Sequence, residues 1–220
     1  MLILAIDTST NILSMALVRG EKVLGTINER TKNTQSEVLM LRIERMMKAC
    51  GLKPSNLGKI AVAIGPGSYT GIRVGVAAAK SLGYSLDIPV VGVSSLKIMS
   101  HAAYYRGTLV PMIDARRGTV FAGTYEHGEN LIPDGHYEID ELLGKLPVGR
   151  ITFLGDVAVV NKERLLEKCR HSRIIAESEF RFSKAVALAR LARKESPVKN
   201  IHALIPSYLR KTEAELNAGV

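Results

Sequence analysis

The sequence has few of the residues that staple or metallate a fold. Two cysteines in 220 residues, Cys50 and Cys169, stand far apart with no second ligand at metal-like spacing. That pattern predicts two free thiols in a reducing compartment rather than one long-range disulfide. The five histidines, His101, His127, His136, His171 and His202, include no i, i+4 pair of the kind that holds a metal on a helix. No apolar run reaches the length of a membrane span. The N-terminus lacks a basic-then-apolar leader, because the apolar run Leu2 to Ile6 is only strand-length before Asp7. With 46% hydrophobic and 23% charged residues, the chain reads as a soluble, cytoplasmic globular protein, long enough for one large domain or two small ones.

No standard phosphate loop is complete either. The stretch Gly65-Pro66-Gly67-Ser68-Tyr69-Thr70-Gly71-Ile72-Arg73-Val74-Gly75 follows the apolar run Ile60 to Ile64 and leads into Val76-Ala77-Ala78-Ala79-Lys80-Ser81-Leu82. Strand, glycine-rich turn and helix is a geometry that offers backbone N–H groups to an anion. Yet a Walker loop needs Lys-Ser/Thr after its last glycine, and Ile72-Arg73 stands there. The dinucleotide fingerprint fails by one residue between Gly67 and Gly71, and Pro66 breaks a nucleophile elbow around Ser68. The stretch therefore reads as a tight strand-to-helix turn that launches a closely packed helix. Phosphate binding is the lesser alternative.

Net charge is +9 and unevenly spread. Residues 150–212 hold 14 Lys and Arg against 6 Asp and Glu, while residues 1–149 hold 16 against 13. A basic C-terminal region suits a nucleic acid or an acidic partner, although no aromatic-interleaved basic motif is visible in the sequence.

In chain order, strands are expected over 2–6, 12–18 and 22–29. A helix over 35–50 follows, opened by a capping box of Thr34 and Glu37 and closed near Gly51. The apolar residues of this helix spread over roughly 200° at about 100° per residue, wider than one core face needs. Either it is buried on two sides or one side awaits a partner. A strand over 59–64, a helix over 69–85 with few polar positions, a strand over 88–93 and a helix to about 105 complete a βββαβαβα unit. The second half restarts the pattern. At an offset of 107, Leu109 to Asp114 falls under Leu2 to Asp7, and Val120 to Tyr125 under Leu13 to Val18. Structural duplication is the reading, with a shorter second half of helices over 139–146, 160–169 and 183–194 and strands over 150–154 and 173–176. The boundary falls near Tyr104 to Thr108, giving units of 1–106 and 107–220.

Asp7 and Asp114 each end the first strand of a repeat. In two-lobed phosphotransferases such carboxylates face each other across a cleft and hold a metal beside nucleotide phosphates. Here Thr8-Ser9 and Ala115-Arg116-Arg117 follow them, without the glycine that lets the backbone turn onto phosphate. Two arginines would also compete with a metal for Asp114. Strand-terminal capping and ion pairing is the favoured reading. No metal site is expected, and Ser68 and Thr70 read as turn and helix-start residues.

Five segments together resemble the TsaB (YeaZ) family: Asp7-Thr8-Ser9-Thr10, the run Gly65 to Gly75, Pro89 to Leu96, Ile113-Asp114-Ala115-Arg116, and Pro206-Ser207-Tyr208-Leu209-Arg210. The resemblance covers nearly the whole chain. It implies an α/β, two-lobed actin-like or Hsp70-like fold of the ASKHA, ribonuclease H-like class, with a shortened second lobe. It also implies a non-catalytic subunit in the synthesis of threonylcarbamoyladenosine (t6A) in tRNA. Its expected partners are the transferase paralogue TsaD, the ATPase TsaE, tRNA through the complex, and a second copy when the chain is alone. No cofactor of its own is implied, with ATP or ADP at a subunit junction as an option. Pairing through first-lobe helices would use Val38, Ile43, Met46 and Met47 on one, and Ile72, Val74, Val76, Ala78, Ala79 and Leu82 on the other. Asp7, Thr8, Ser9, Gly67, Ser68 and Asp114 would then be a vestigial nucleotide site. Many relatives carry His just before the first helix, where this chain has Asn33-Thr34-Gln35-Ser36. The alternatives are an active ATP-binding kinase or ATPase of the same fold, or a peptidase acting on the paralogue.

Overall fold

Leu2–Asp7 (β1) is buried at all six positions, so both of its faces need cover. It lies at the centre of a five-stranded sheet ordered β3-β2-β1-β4-β5. Ile12–Arg19 (β2) and Lys22–Arg30 (β3) run antiparallel as a hairpin, while Lys59–Gly65 (β4) and Val90–Ser94 (β5) run parallel to β1. The computed structural model describes residues 1–30 and 35–210. The expected capping box of Thr34 and Glu37, and the Asn33 to Ser36 segment, lie outside or at the edge of these residues.

Gln35–Ala49 (α1) and Tyr69–Leu86 (α2) cover the outer face of this sheet. Gly51, at φ +65°, closes α1, with Leu52 N–H reaching back to Met47 O. Asp87, in left-handed conformation, ends α2 by donating to Gly83 O and Tyr84 O. The wide apolar surfaces of the two helices now have an account. Leu39, Ile43, Met46 and Met47 of α1 and Ile72, Val76 and Ala79 of α2 enter one cluster with β1, β2 and β4. Val38, Val74, Ala78 and Leu82 pack against its margin and are half-buried.

The second sheet has order β10-β9-β6-β7-β8, the same as the first when read from its other end. Its strands are Thr108–Asp114 (β6), Thr119–Glu126 (β7), Glu129–Glu138 (β8), Ile151–Leu154 (β9) and Arg173–Ile175 (β10). The duplication read from sequence holds in register: Ile12 and Arg19, which bound β2, stand 107 positions before Thr119 and Glu126, which bound β7. Ile139–Lys145 (α4), Asp156–Val160 (α5) and Lys162–Lys168 (α6) cover its outer face. The helix expected over 160–169 is instead two short ones. Asn161 leaves the helical path at the junction and folds its amide onto Val157 O.

Ser95–Ala103 (α3) and Lys184–Ala192 (α7) lie side by side between the sheets. Their composition fits that place. In α7 eight of nine residues are buried, and four of the nine are alanine, which lets backbones approach closely. α7 packs on β1, β2, β4 and β5, whereas Leu96, Met99 and Ala103 of α3 pack on β6, β7 and β9. Each helix therefore ties its own half to the other. Beyond α7 the chain returns to the first sheet. Val198 N–H bonds Val90 O, Leu204 joins the first core cluster, and Ser207 N–H bonds Ile64 O at 2.7 Å. The tail thus covers the β5 edge.

The candidate functional site is the cleft between the lobes

Three turns meet at a cleft of about 950 Å³: the segment after β1, the glycine-rich run before α2, and the turn after β6. The repeat explains their meeting, since parallel central strands carry their C-terminal ends to the same rim. Ser9, Gly67, Ser68 and Asp114 line it. Asp7 and Thr8 do not, because both are wholly buried beneath it.

The glycines serve close packing. A Cβ on Gly67 would collide with Ser9 O, and one on Gly75 with Thr8 Oγ1. Thr8 Oγ1 donates to Gly71 O at 2.7 Å, and Ser68 N–H donates to Ser9 O at 2.8 Å. The turn after β1 therefore fills the space beside α2 where a phosphate loop would stay open. Ser68 Oγ accepts from Gly71 N–H at 3.2 Å as the α2 cap, the helix-start role its sequence position suggests.

Below the cleft lies a buried charge cluster. Asp7 Oδ1 accepts from Ser9 N–H at 2.8 Å and from Ser9 Oγ at 2.6 Å. Asp7 Oδ2 has no hydrogen bond and faces Lys184 Nζ at 3.6 Å. That ammonium also meets Glu177 Oε1 at 2.8 Å and donates to Thr10 Oγ1 at 2.8 Å. Burial pushes the Lys184 ammonium down, but Asp7 and then Glu177 outweigh it, so the group sits above the ordinary lysine range. The fold class places a metal–phosphate group near such an aspartate, and these residues do not fit it. One carboxylate oxygen is saturated by Ser9, and the other is already countered by an internal cation.

Asp114 does reach the cleft, half-exposed, but its Oδ1 accepts from Arg116 N–H at 2.8 Å and its Oδ2 lies 3.4 Å from Arg116 Nη1. Strand-terminal capping and ion pairing is what the structure gives it. Among the described residues no group of three or more His, Cys, Asp or Glu is placed to hold a metal. Nor is any helix there long and apolar enough to cross a membrane.

Sequence reasoning missed Lys184 and Glu177, which no local spacing links to Asp7, whereas Thr10 belongs to the Asp7-Thr8-Ser9-Thr10 segment already singled out. It also missed the closure over the cleft. Tyr208 stacks on Tyr69 with centroids 5.2 Å apart, and Arg210 Nη1 donates to Ala115 O at 2.9 Å. The tail thus spans from one lobe to the other. Arg73 bonds Tyr69 Oη one turn back and lies over its ring. As for the pairing residues, Ile43, Met46, Met47, Ile72, Val76 and Ala79 are core residues of this chain, at most 6% exposed. Burial against the first sheet removes them from any surface. Val38, Val74, Ala78 and Leu82 stay partly accessible, joined by exposed Met40 and Leu41.

The family model described as TsaD: tRNA N6-adenosine threonylcarbamoyltransferase matches residues 13–218. Over 222 residues the chain is 36% identical to the tRNA threonylcarbamoyladenosine biosynthesis protein TsaB of Bacillus subtilis (strain 168), covering 98% of this chain and 96% of that one. In three dimensions it is similar to YeaZ from Pseudomonas aeruginosa, with TM-score 0.77, 23% identity, and coverage of 94% and 99%. It also shares its fold with the ROK hexokinase from Thermus thermophilus, with TM-score 0.53, 12% identity, and coverage of 89% and 100%. The two five-stranded sheets of like order, the two helices between them and the full-length similarity agree: the chain belongs to the TsaB group of the TsaD-like family, on the two-lobed actin-like fold.

Proposed function

We propose that this chain is a subunit of a tRNA threonylcarbamoyladenosine synthesis complex that pairs with and activates a TsaD transferase without performing the transfer itself. Full-length similarity to TsaB supports the pathway. The observation that carries the non-catalytic role is the Lys184 ammonium set among Asp7, Thr10 and Glu177, where an active relative of this fold would need an open carboxylate. TsaE, an ATPase, and the tRNA substrate are the further members of the assembly, and an isolated chain pairs with a second copy. The chain holds no cofactor of its own, ATP or ADP being left to a subunit junction, and it works in the cytoplasm.

The half-buried stripe Val74, Ala78 and Leu82 at i, i+4 spacing on α2, with Val38, Met40 and Leu41 of α1, is the apolar surface a partner helix would cover. Threonylcarbamoyl transfer to a tRNA transcript, reconstituted from the same cell's TsaD and TsaE with and without this chain, tests the reading. Equal product in both reactions would overturn it.

The cleft itself favours a second reading, an ATP-binding protein of the actin-like fold, since it is large and carries Arg116, Arg117 and Arg210 on its walls. Calorimetry with ATP and magnesium decides: micromolar binding that Asp114→Asn weakens supports this reading over the scaffold.

A further inference from the structure

The start of α7 and the loop after α3 assemble a cluster that sequence spacing hides. Phe182 N–H donates to Ala102 O at 3.1 Å, which brings the residues before α7 onto the end of α3. Tyr104, with φ 58°, meets Phe182 edge to face at 5.9 Å and 74°. The Arg181 guanidinium lies 4.5 Å from the Tyr104 ring centre and 5.5 Å from that of Phe182. Arg190, two turns along α7, lies 4.1 Å from the Phe182 ring centre. Tyr104 is 64% exposed, and Tyr105 and Arg106 beside it are exposed as well.

Two properties set this cluster apart from an ordinary solvated surface. Neither Arg181 nor Arg190 makes an ion pair among the described residues; the carboxylate that feels Arg190, Glu21, is bonded to Arg193 instead. A guanidinium laid over a ring also keeps its N–H donors in the plane of the group, where a phosphate oxygen accepts two at once. Exposed aromatic rings beside ring-held arginines form the platform that takes unpaired bases and their backbone. The surplus of cations in residues 150–212, 14 against 6, adds long-range attraction for a polyanion.

We propose that Tyr104, Arg181, Phe182 and Arg190 form a contact for a single-stranded or loop segment of RNA. Tyr104 stacks a base, and the two arginines hold the adjoining phosphates. The choice of RNA among polyanions rests on the tRNA-modification reading above.

Fluorescence anisotropy with an end-labelled unmodified tRNA transcript, and with a blunt RNA duplex of equal length, tests this across a salt series. The whole chain is used, and thermal melts confirm that each variant folds. Tyr104→Ala is expected to weaken tRNA binding about tenfold with little change in salt slope, because stacking releases no counterions. Arg181→Gln with Arg190→Gln is expected to lower the slope by about 1.4, two contacts at about 0.7 each. Affinity and slope unchanged in both variants overturn the proposal. So does an equal loss in an Arg170→Gln/Arg173→Gln control, which would make the attraction nonspecific, or equal binding of the duplex. If RNA binding persists but the same variants lose a protein partner, the surface is a protein contact and the proposal fails. Failure here stays distinct from failure of the tRNA-modification reading. Reconstituted transfer that needs this chain yet tolerates all these variants sinks only the RNA contact. RNA binding through the cluster in a chain that transfer does not need sinks only the pathway.

Discussion

Replacing Lys184 with methionine keeps the length of the side chain and deletes one buried cation. It strands Asp7, wholly buried with an oxygen that has no hydrogen bond, and Glu177, whose side chain is only 8% exposed. Breaking a buried ion pair on one side costs about 3–5 kcal/mol. At about 2–4 °C per kcal/mol for a chain of this size, the melting temperature falls by about 6–20 °C. Converting Asp7 to Asn in the same chain removes one stranded charge, so Asp7→Asn/Lys184→Met is expected to lose less than the sum of the two single changes. The pH dependence has a fixed sign. The folded ammonium is held above its unfolded range, so its contribution is complete below about pH 10.4 and is lost as pH rises through the higher folded value. The part of the melting-temperature difference that the Lys184 proton carries is therefore constant through neutral pH and shrinks as pH rises into strong alkali. Differential scanning calorimetry reads both effects. A Lys184→Met protein melting within about 2 °C of the parent would refute the view that this ammonium neutralises the cluster.

Other consequences are equally direct. Gly67→Val drives a side chain into Ser9 O and is expected to destabilise the fold by about 2 kcal/mol or more in urea melts, because backbone must move to admit it. Leu188→Ala empties a fully buried site between the sheets and costs about 2–5 kcal/mol by the same measurement. If α2 carries the proposed pairing surface, Ala78→Arg, at a half-buried position, is expected to leave the melting temperature of the isolated chain within a few degrees and to prevent co-purification with the TsaD paralogue. Val76→Arg is no substitute, since Val76 is 4% exposed and an arginine there breaks the core. Tyr208→Ala removes the stack on Tyr69, worth about 0.5–1.5 kcal/mol beyond area, and speeds proteolysis of the tail before the rest of the chain melts.

The duplication was legible because β1 and β6 are both strand-length apolar runs that end in Asp, and the offset of 107 between β2 and β7 carries no gap. It faded beyond β8 because the second half shortens most later elements: α1 has 15 residues and α4 has 7, and only α3 and α7 match at nine each. The breadth of apolar residues on α1 and α2 was also visible, but their division between core and surface was not. Helical phase says which residues share a face, and only tertiary packing says which face meets the sheet. Ile43 and Val76 went to the core while Val38 and Ala78 stayed at its margin. The charge cluster was illegible for a different reason. Lys184 and Thr10 are 174 positions apart, and neither residue type at that distance carries a local signal. The arginine–aromatic cluster is hidden in the same way, since Tyr104 meets Phe182 only through the crossing of α3 and α7.

The central claim is that this chain supports transfer without supplying chemistry. The most direct test removes the two exposed polar groups of the cleft that an enzyme of this fold would use, as Ser68→Ala with Asp114→Asn. Ser68 caps α2, and losing that cap costs about 0.5–2 kcal/mol, so a thermal melt first establishes that the variant is folded. Reconstituted threonylcarbamoyl transfer that depends on the chain is expected to proceed with this variant at the parent rate. A fall of about hundredfold or more, the scale of a lost acid–base or nucleophilic group, would contradict the claim.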